Sequence, residues 1–165
     1  MVGMVPAGRR VVLTVLGVLL AGAPGGTLRA TDAATKTIED AVLAVSAEMT
    51  KAGEALDADR LFSYMLDTDK GSVIQNGIMM RTRQEALERV KGNLGGISAI
   101  HYRWKSQLVT VLSPDVALLT AEGESTATTT TGATFTAPFA QTVVFVRKKG
   151  VWRAVHAHQS SPRAQ

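Results

Sequence analysis

The stretch VWRAVHAHQSS, residues 151–161, sets His156 and His158 two positions apart. In a β-strand, residues i and i+2 project from one face, so the two imidazoles would stand side by side. That arrangement suits a metal site or an acid–base pair. A metal centre needs at least a third ligand. His101 is the one other histidine, Glu122 and Glu124 are the nearest carboxylates in the predicted sheet, and the chain has no cysteine. His101 falls at the far end of its strand, so the reading is no metal and no cofactor, with His156 and His158 as surface or interface groups. A quieter set of residues carries different chemistry. Gln141 and Gln159 are amides that need hydrogen-bond partners wherever they are buried. Trp104, with Tyr102 beside it, offers ring surface for a ligand, and Tyr64 and Asp67 add a phenol and a carboxylate on a neighbouring helix.

These groups need elements to hold them. From about Thr35 to Gly53 the apolar residues Ile38, Val42, Val45, Met49 and Ala52 recur at alternating steps of four and three, one face of a helix. A second helix is expected over 57–66, with Asp57 or Asp59 as N-cap and Leu61, Phe62, Met65 and Leu66 buried. GSVIQNG (71–77) reads as one short strand. TRQE (82–85) is a capping box, in which the Thr82 hydroxyl and the Glu85 carboxylate satisfy free N–H groups at a helix start. That helix ends at Gly95–Gly96. Four antiparallel strands follow, at roughly 98–112, 115–130, 133–147 and 151–161, with turn signals between them. Helices first and a meander afterwards mean an α+β domain.

Turn chemistry sets the register, and register decides which residues share a face. At KKG (148–150) a three-residue turn needs positive φ only at Gly150, whereas a two-residue turn would also require it of Lys149. The three-residue turn pairs Gln141 with Ala157. The turn at TTG pairs Ala121 with Gln141, and that at SPDV pairs Leu108 with Ala121. The expected inner face then carries Tyr102, Trp104, Ser106, Leu108, Leu112, Gln141, Val155, Ala157 and Gln159. Trp152, His156 and His158 fall on the outer face, with Gln107 and Val109 also outside. An apolar inner face with a few convergent polar groups is the usual form of a small-molecule site, here Tyr64, Trp104, Gln141 and Gln159.

The chain has 165 residues and a formal charge of +4. Three of its 18 basic residues and none of its 14 acidic ones lie in residues 1–30, so the remainder is nearly balanced. No basic stripe survives, which argues against nucleic acid. Arg9 and Arg10 precede the apolar run VVLTVLGVLLAGA (11–23), which has the length of a signal-peptide core and is short for a membrane span. Residues 1–30 are therefore expected to be a signal peptide cleaved after Ala30, residues 31–165 the mature domain, and the location secreted or periplasmic, with no membrane contact after cleavage.

The order helix, helix, strand, helix, four strands resembles the nuclear transport factor 2-like superfamily. The ending W-x-x-V-H-x-H-x-S, Trp152 to Ser160, is similar to SnoaL-like domains and to the association domain of calmodulin-dependent protein kinase II. The resemblance implies a cone-shaped, cystatin-like fold, a curved antiparallel sheet wrapped around N-terminal helices. It also implies a pocket inside the cone and a homodimer formed through the outer sheet face, here Trp152, His156 and His158. It supplies no catalytic set. The aspartate base and protonated aspartic acid of ketosteroid isomerases have no counterpart on the expected inner strands, and Val143 and Gln159 stand where the kinase domain has pocket arginines. The leading expectation is a binder of a small apolar or mixed-polarity molecule. An isomerase, cyclase or hydrolase using Tyr64, Asp67 or Gln159 is the alternative, and a pure assembly module the third.

Overall fold

The structure, a computed structural model, describes residues 25–162, with side chains from Thr31 onward. Residues 1–24, most of the expected leader, and the side chains of 25–30 lie outside the described residues. Helix α1 (Gly25–Glu54) is followed by α2 (Ala58–Ser63), strands β1 (Val73–Gln75) and β2 (Ile78–Met80), helix α3 (Arg83–Leu94) and four long strands. These are β3 (Ile97–Ser113), β4 (Val116–Thr129), β5 (Thr134–Lys148) and β6 (Val151–Ser160). The six strands form one sheet in the order β2-β1-β6-β5-β4-β3. Among the described residues no helix is long and apolar enough to cross a membrane.

The helices form where their periodicity and caps demand. On α1 the stripe Ile38, Val42, Val45, Met49 and Ala52 turns inward, with Val42 and Ala52 fully buried. Asp57 caps α2 by accepting from Arg60 N at 2.9 Å. The helix stops at Ser63, earlier than its apolar pattern suggests, because the next residues bond to β6: Leu66 N donates to Ala154 O at 2.7 Å and Ala154 N to Tyr64 O at 3.0 Å. At α3, Thr82 Oγ1 accepts from Glu85 N at 3.1 Å, and the Glu85 carboxylate returns to Arg81 N at 2.7 Å. The segment expected as one strand at 71–77 is instead the first half of a hairpin. Asn76 and Gly77 both have positive φ (51° and 77°), a two-residue turn that folds β2 back onto β1.

The long strands depart from the expected register on β6 and on β3, in each case through paired single-residue shifts that reverse the faces between them. The 148–150 turn is a two-residue turn after all, with Lys149 at φ 51° and Gly150 at 79°, and it pairs Lys148 with Val151. A bulge at Val155 then moves the pairing by one more residue, so Gln141 faces Gln159 and Thr142 faces His158. Two single shifts preserve parity, so the histidines still project outward. Between turn and bulge the parity is reversed. Trp152 is therefore not on the outer face: it is 7% exposed and packs in the core with Ala154, under the Arg147 guanidinium at 5.7 Å.

β3 repeats this logic. Its turn pairs Ser113 with Val116 as expected, and irregularities at Leu112 and Lys105 bracket a reversed stretch. Gln107 and Val109 turn inward, and Leu108 and Leu112 project outward at 65% and 60% exposure. Gly123 sits opposite the Lys105 bulge, where a Cβ would come 2.6 Å from Arg103 O. The β4–β5 hairpin has no irregularity and keeps its expected register, Ala121 opposite Gln141.

Candidate functional site

Between the helices and the inner face of the sheet lies a cavity of about 340 Å³. Its wall is mainly apolar: Met49 from α1, Phe62 and Met65 from α2 and its exit, Leu94 from α3, and Val143 and Phe145 from β5. A volume of this size and lining is what a small organic ligand requires.

Three aromatic rings from two strands line one part of it. Tyr102 and Trp104 are stacked with centroids 6.3 Å apart, and each meets Phe139 edge-on, at 5.9 and 5.2 Å. They fit together because two glycines leave room. Gly123 lies between Trp104 and Phe139 in the strand pairing, and a Cβ on Gly53 of α1 would come within 3.2 Å of the Tyr102 ring. Trp104 Nε1 donates to Thr50 Oγ1 at 3.3 Å, and Tyr102 N donates to Glu54 Oε1 at 2.9 Å. Burial, and after it the charge of Glu54, push the Tyr102 phenol above its ordinary value, so it stays neutral at physiological pH.

Two residues further along β5, amides replace rings. Gln159 pairs with Gln141 on β5 and with Gln75 on β1, so three glutamines stand in one cross-strand row. Gln75 Nε2 donates to Gln159 Oε1 at 2.6 Å. Gln141, half-buried, makes no side-chain hydrogen bond within the described residues. Further along the same row, Gln107 Nε2 donates to the buried Ser46 Oγ at 3.2 Å. Among the described residues no aspartate, glutamate, histidine, lysine or arginine lines the cavity.

Of the residues predicted for this site, Trp104, Gln141 and Gln159 line the cavity, and Tyr64 and Asp67 do not. Tyr64 closes α2 with its backbone, and its phenol lies against the Arg60 guanidinium. Asp67 is exposed. The β6 histidines are clear of the cavity: His156 Nδ1 lies 2.9 Å from Gly71 O, and His158 is exposed. Among the described residues no group of three His, Asp or Glu is placed to hold a metal. Gln75 was missed because the Asn76–Gly77 turn signal, read as the end of a strand, marks a hairpin that carries Gln75 to the cavity.

The SnoaL-like domain family matches residues 42–164. No curated protein matches in sequence. Solved structures match in fold. An NTF2-like superfamily protein from Salmonella enterica serovar Typhimurium aligns with a TM-score of 0.71 at 17% identity, over 79% of this chain and 95% of its own. A hexachlorocyclohexane dehydrochlorinase from Novosphingobium barchaimii aligns at 0.68 and 13% identity, over 80% and 91%. A protein with a cystatin-like fold from Caulobacter vibrioides aligns at 0.64 and 20% identity, over 76% and 89%. The solved structures show that the six-stranded curved sheet around N-terminal helices is a nuclear transport factor 2-like fold, and the match over most of the chain shows that this protein belongs to the SnoaL-like domain family.

Proposed function

We propose that the protein binds a small, mainly apolar molecule in the cavity between helices and sheet, acts outside the cytoplasm after export, and pairs with a second copy through the outer face of the sheet. The observation that carries the binding reading is the cavity itself: about 340 Å³, walled mainly by apolar and aromatic side chains, with glutamine amides among its few polar groups. Hydrophobic transfer supplies the affinity of such a site and the amides orient the guest. Catalysis by isomerase, cyclase or hydrolase chemistry would call for an acid or base at the guest. The lining offers the Tyr102 phenol, held neutral by burial, while Glu54 beside it is taken up by the Tyr102 N–H. Binding is therefore the favoured reading. Support for export is the Arg9–Arg10 and 11–23 pattern, and support for pairing is the exposed Leu108 and Leu112 on the outer face of β3.

Native mass spectrometry of the protein as purified tests the binding reading. A bound small molecule is expected in the native protein, at an occupancy reduced about tenfold in Gln159→Leu, the size of effect expected when an amide's hydrogen bonds are lost. An empty cavity that also takes up no neutral aromatic probe would overturn it.

A further inference from the structure

The three adjacent glutamines give the cavity a chemical preference. Gln75, Gln159 and Gln141 occupy one register line on β1, β6 and β5. Strand spacing places their Cα atoms on a line roughly 10 Å long. The Gln75–Gln159 bond uses one amide donor and one acceptor. It leaves an NH₂ group on Gln159 and a carbonyl on Gln75, and turning both amides over would exchange those roles. Gln141 contributes a complete amide with no side-chain partner in the described residues. The row therefore presents donors and acceptors together, and its polarity can adapt to the guest.

The charges exclude as much as the amides select. Among the described residues no cationic or anionic side chain lines the cavity. A carboxylate or ammonium group entering it would lose its hydration and meet no counter-charge, which is far more costly than burying a neutral amide that finds partners. The Trp104–Phe139 edge lies one layer away, since Phe139 precedes Gln141 by two residues on β5. A ring body can thus lie against the aromatics while its head reaches the amide row.

Resting on the reading of this cavity as a ligand site, we infer that the Gln75–Gln159–Gln141 row selects an uncharged guest, a flat ring body bearing a neutral head that both donates and accepts hydrogen bonds, such as a carboxamide or lactam. Equilibrium dialysis of the full chain against 2-naphthamide, 2-naphthoate and 2-methylnaphthalene tests it. Wild-type protein should bind the amide about tenfold or more tighter than the carboxylate and about tenfold tighter than the hydrocarbon. In Gln141→Leu the advantage of the amide over the hydrocarbon should shrink while the hydrocarbon still binds. The near-isosteric Gln141→Glu, which keeps the side chain's shape, should weaken 2-naphthoate further and favour the cationic 2-naphthamidine. Equal binding of amide and carboxylate, or an amide advantage untouched by either variant, would overturn the selectivity and leave the cavity reading intact. Failure of all the naphthalene probes to bind would remove the cavity reading, and the inference with it.

Discussion

Trp152 shows how one indole can belong to the core while its strand neighbours face out. It is 7% exposed, packed with Ala154 and Phe145 and covered by Arg147, which is itself held by Asp115 at 2.8 Å. Its role is therefore stability. Trp152→Ala should lower the unfolding free energy by about 3–5 kcal/mol, the usual cost of emptying a large aromatic site. Urea denaturation would measure this, and a loss under 1 kcal/mol would contradict the burial described. At the same scale, the pull of Lys105 first and Arg103 second holds the Glu124 carboxylate below the usual range, and this cluster marks the outer face of β3 and β4 as polar toward that end. Ser72 is fully buried and its hydroxyl has no partner among the described residues.

Elements that obey local rules were legible in the residues. The α1 stripe, the Asp57 cap, the Thr82–Glu85 box and the β4–β5 register follow from periodicity and turn type alone. What was hidden is the conflict between local cost and global packing. Lys149 at φ 51° is disfavoured by roughly 1 kcal/mol, yet the tight turn that demands it delivers Trp152 and Ala154 to the core. Replacing Lys149 should relieve that cost: Lys149→Asn creates the Asn–Gly pair preferred in such hairpins and should raise stability by about 0.5–1 kcal/mol. A thermal melt displaced downward instead would contradict the turn described. The bulges at Lys105 and Val155 are equally invisible to propensity, because they are set by which side chains the core accepts. For the site this meant that Trp104, Gln141 and Gln159 were assigned inward and Gln107 outward. Two shifts cancel at Trp104 and at Gln159, none touches Gln141, and one remains at Gln107.

At the scale of the molecule, the sheet has an inner face closed by helices and an outer face on which Leu108 and Leu112 stand exposed along the strand at one end of the sheet order. If two copies pair there, Leu108→Glu with Leu112→Glu should convert a dimer into a monomer in sedimentation velocity, with ligand occupancy retained. A species of unchanged mass would exclude that face. The cavity lies on the opposite side of the sheet, so assembly and binding are separable in this architecture.

Each irregularity on β3 also has a consequence for the chain as a heritable text. Lys105 is the unpaired extra residue, so its loss would leave the remaining pairs in place, whereas a residue lost elsewhere in β3 would exchange inside for outside over neighbouring positions. Substitution tolerance along β3 should therefore alternate from Ile100 to Trp104, skip one beat at Lys105 and resume in opposite phase through Val111. A rhythm broken at that residue would record the fold's geometry without any structure being solved.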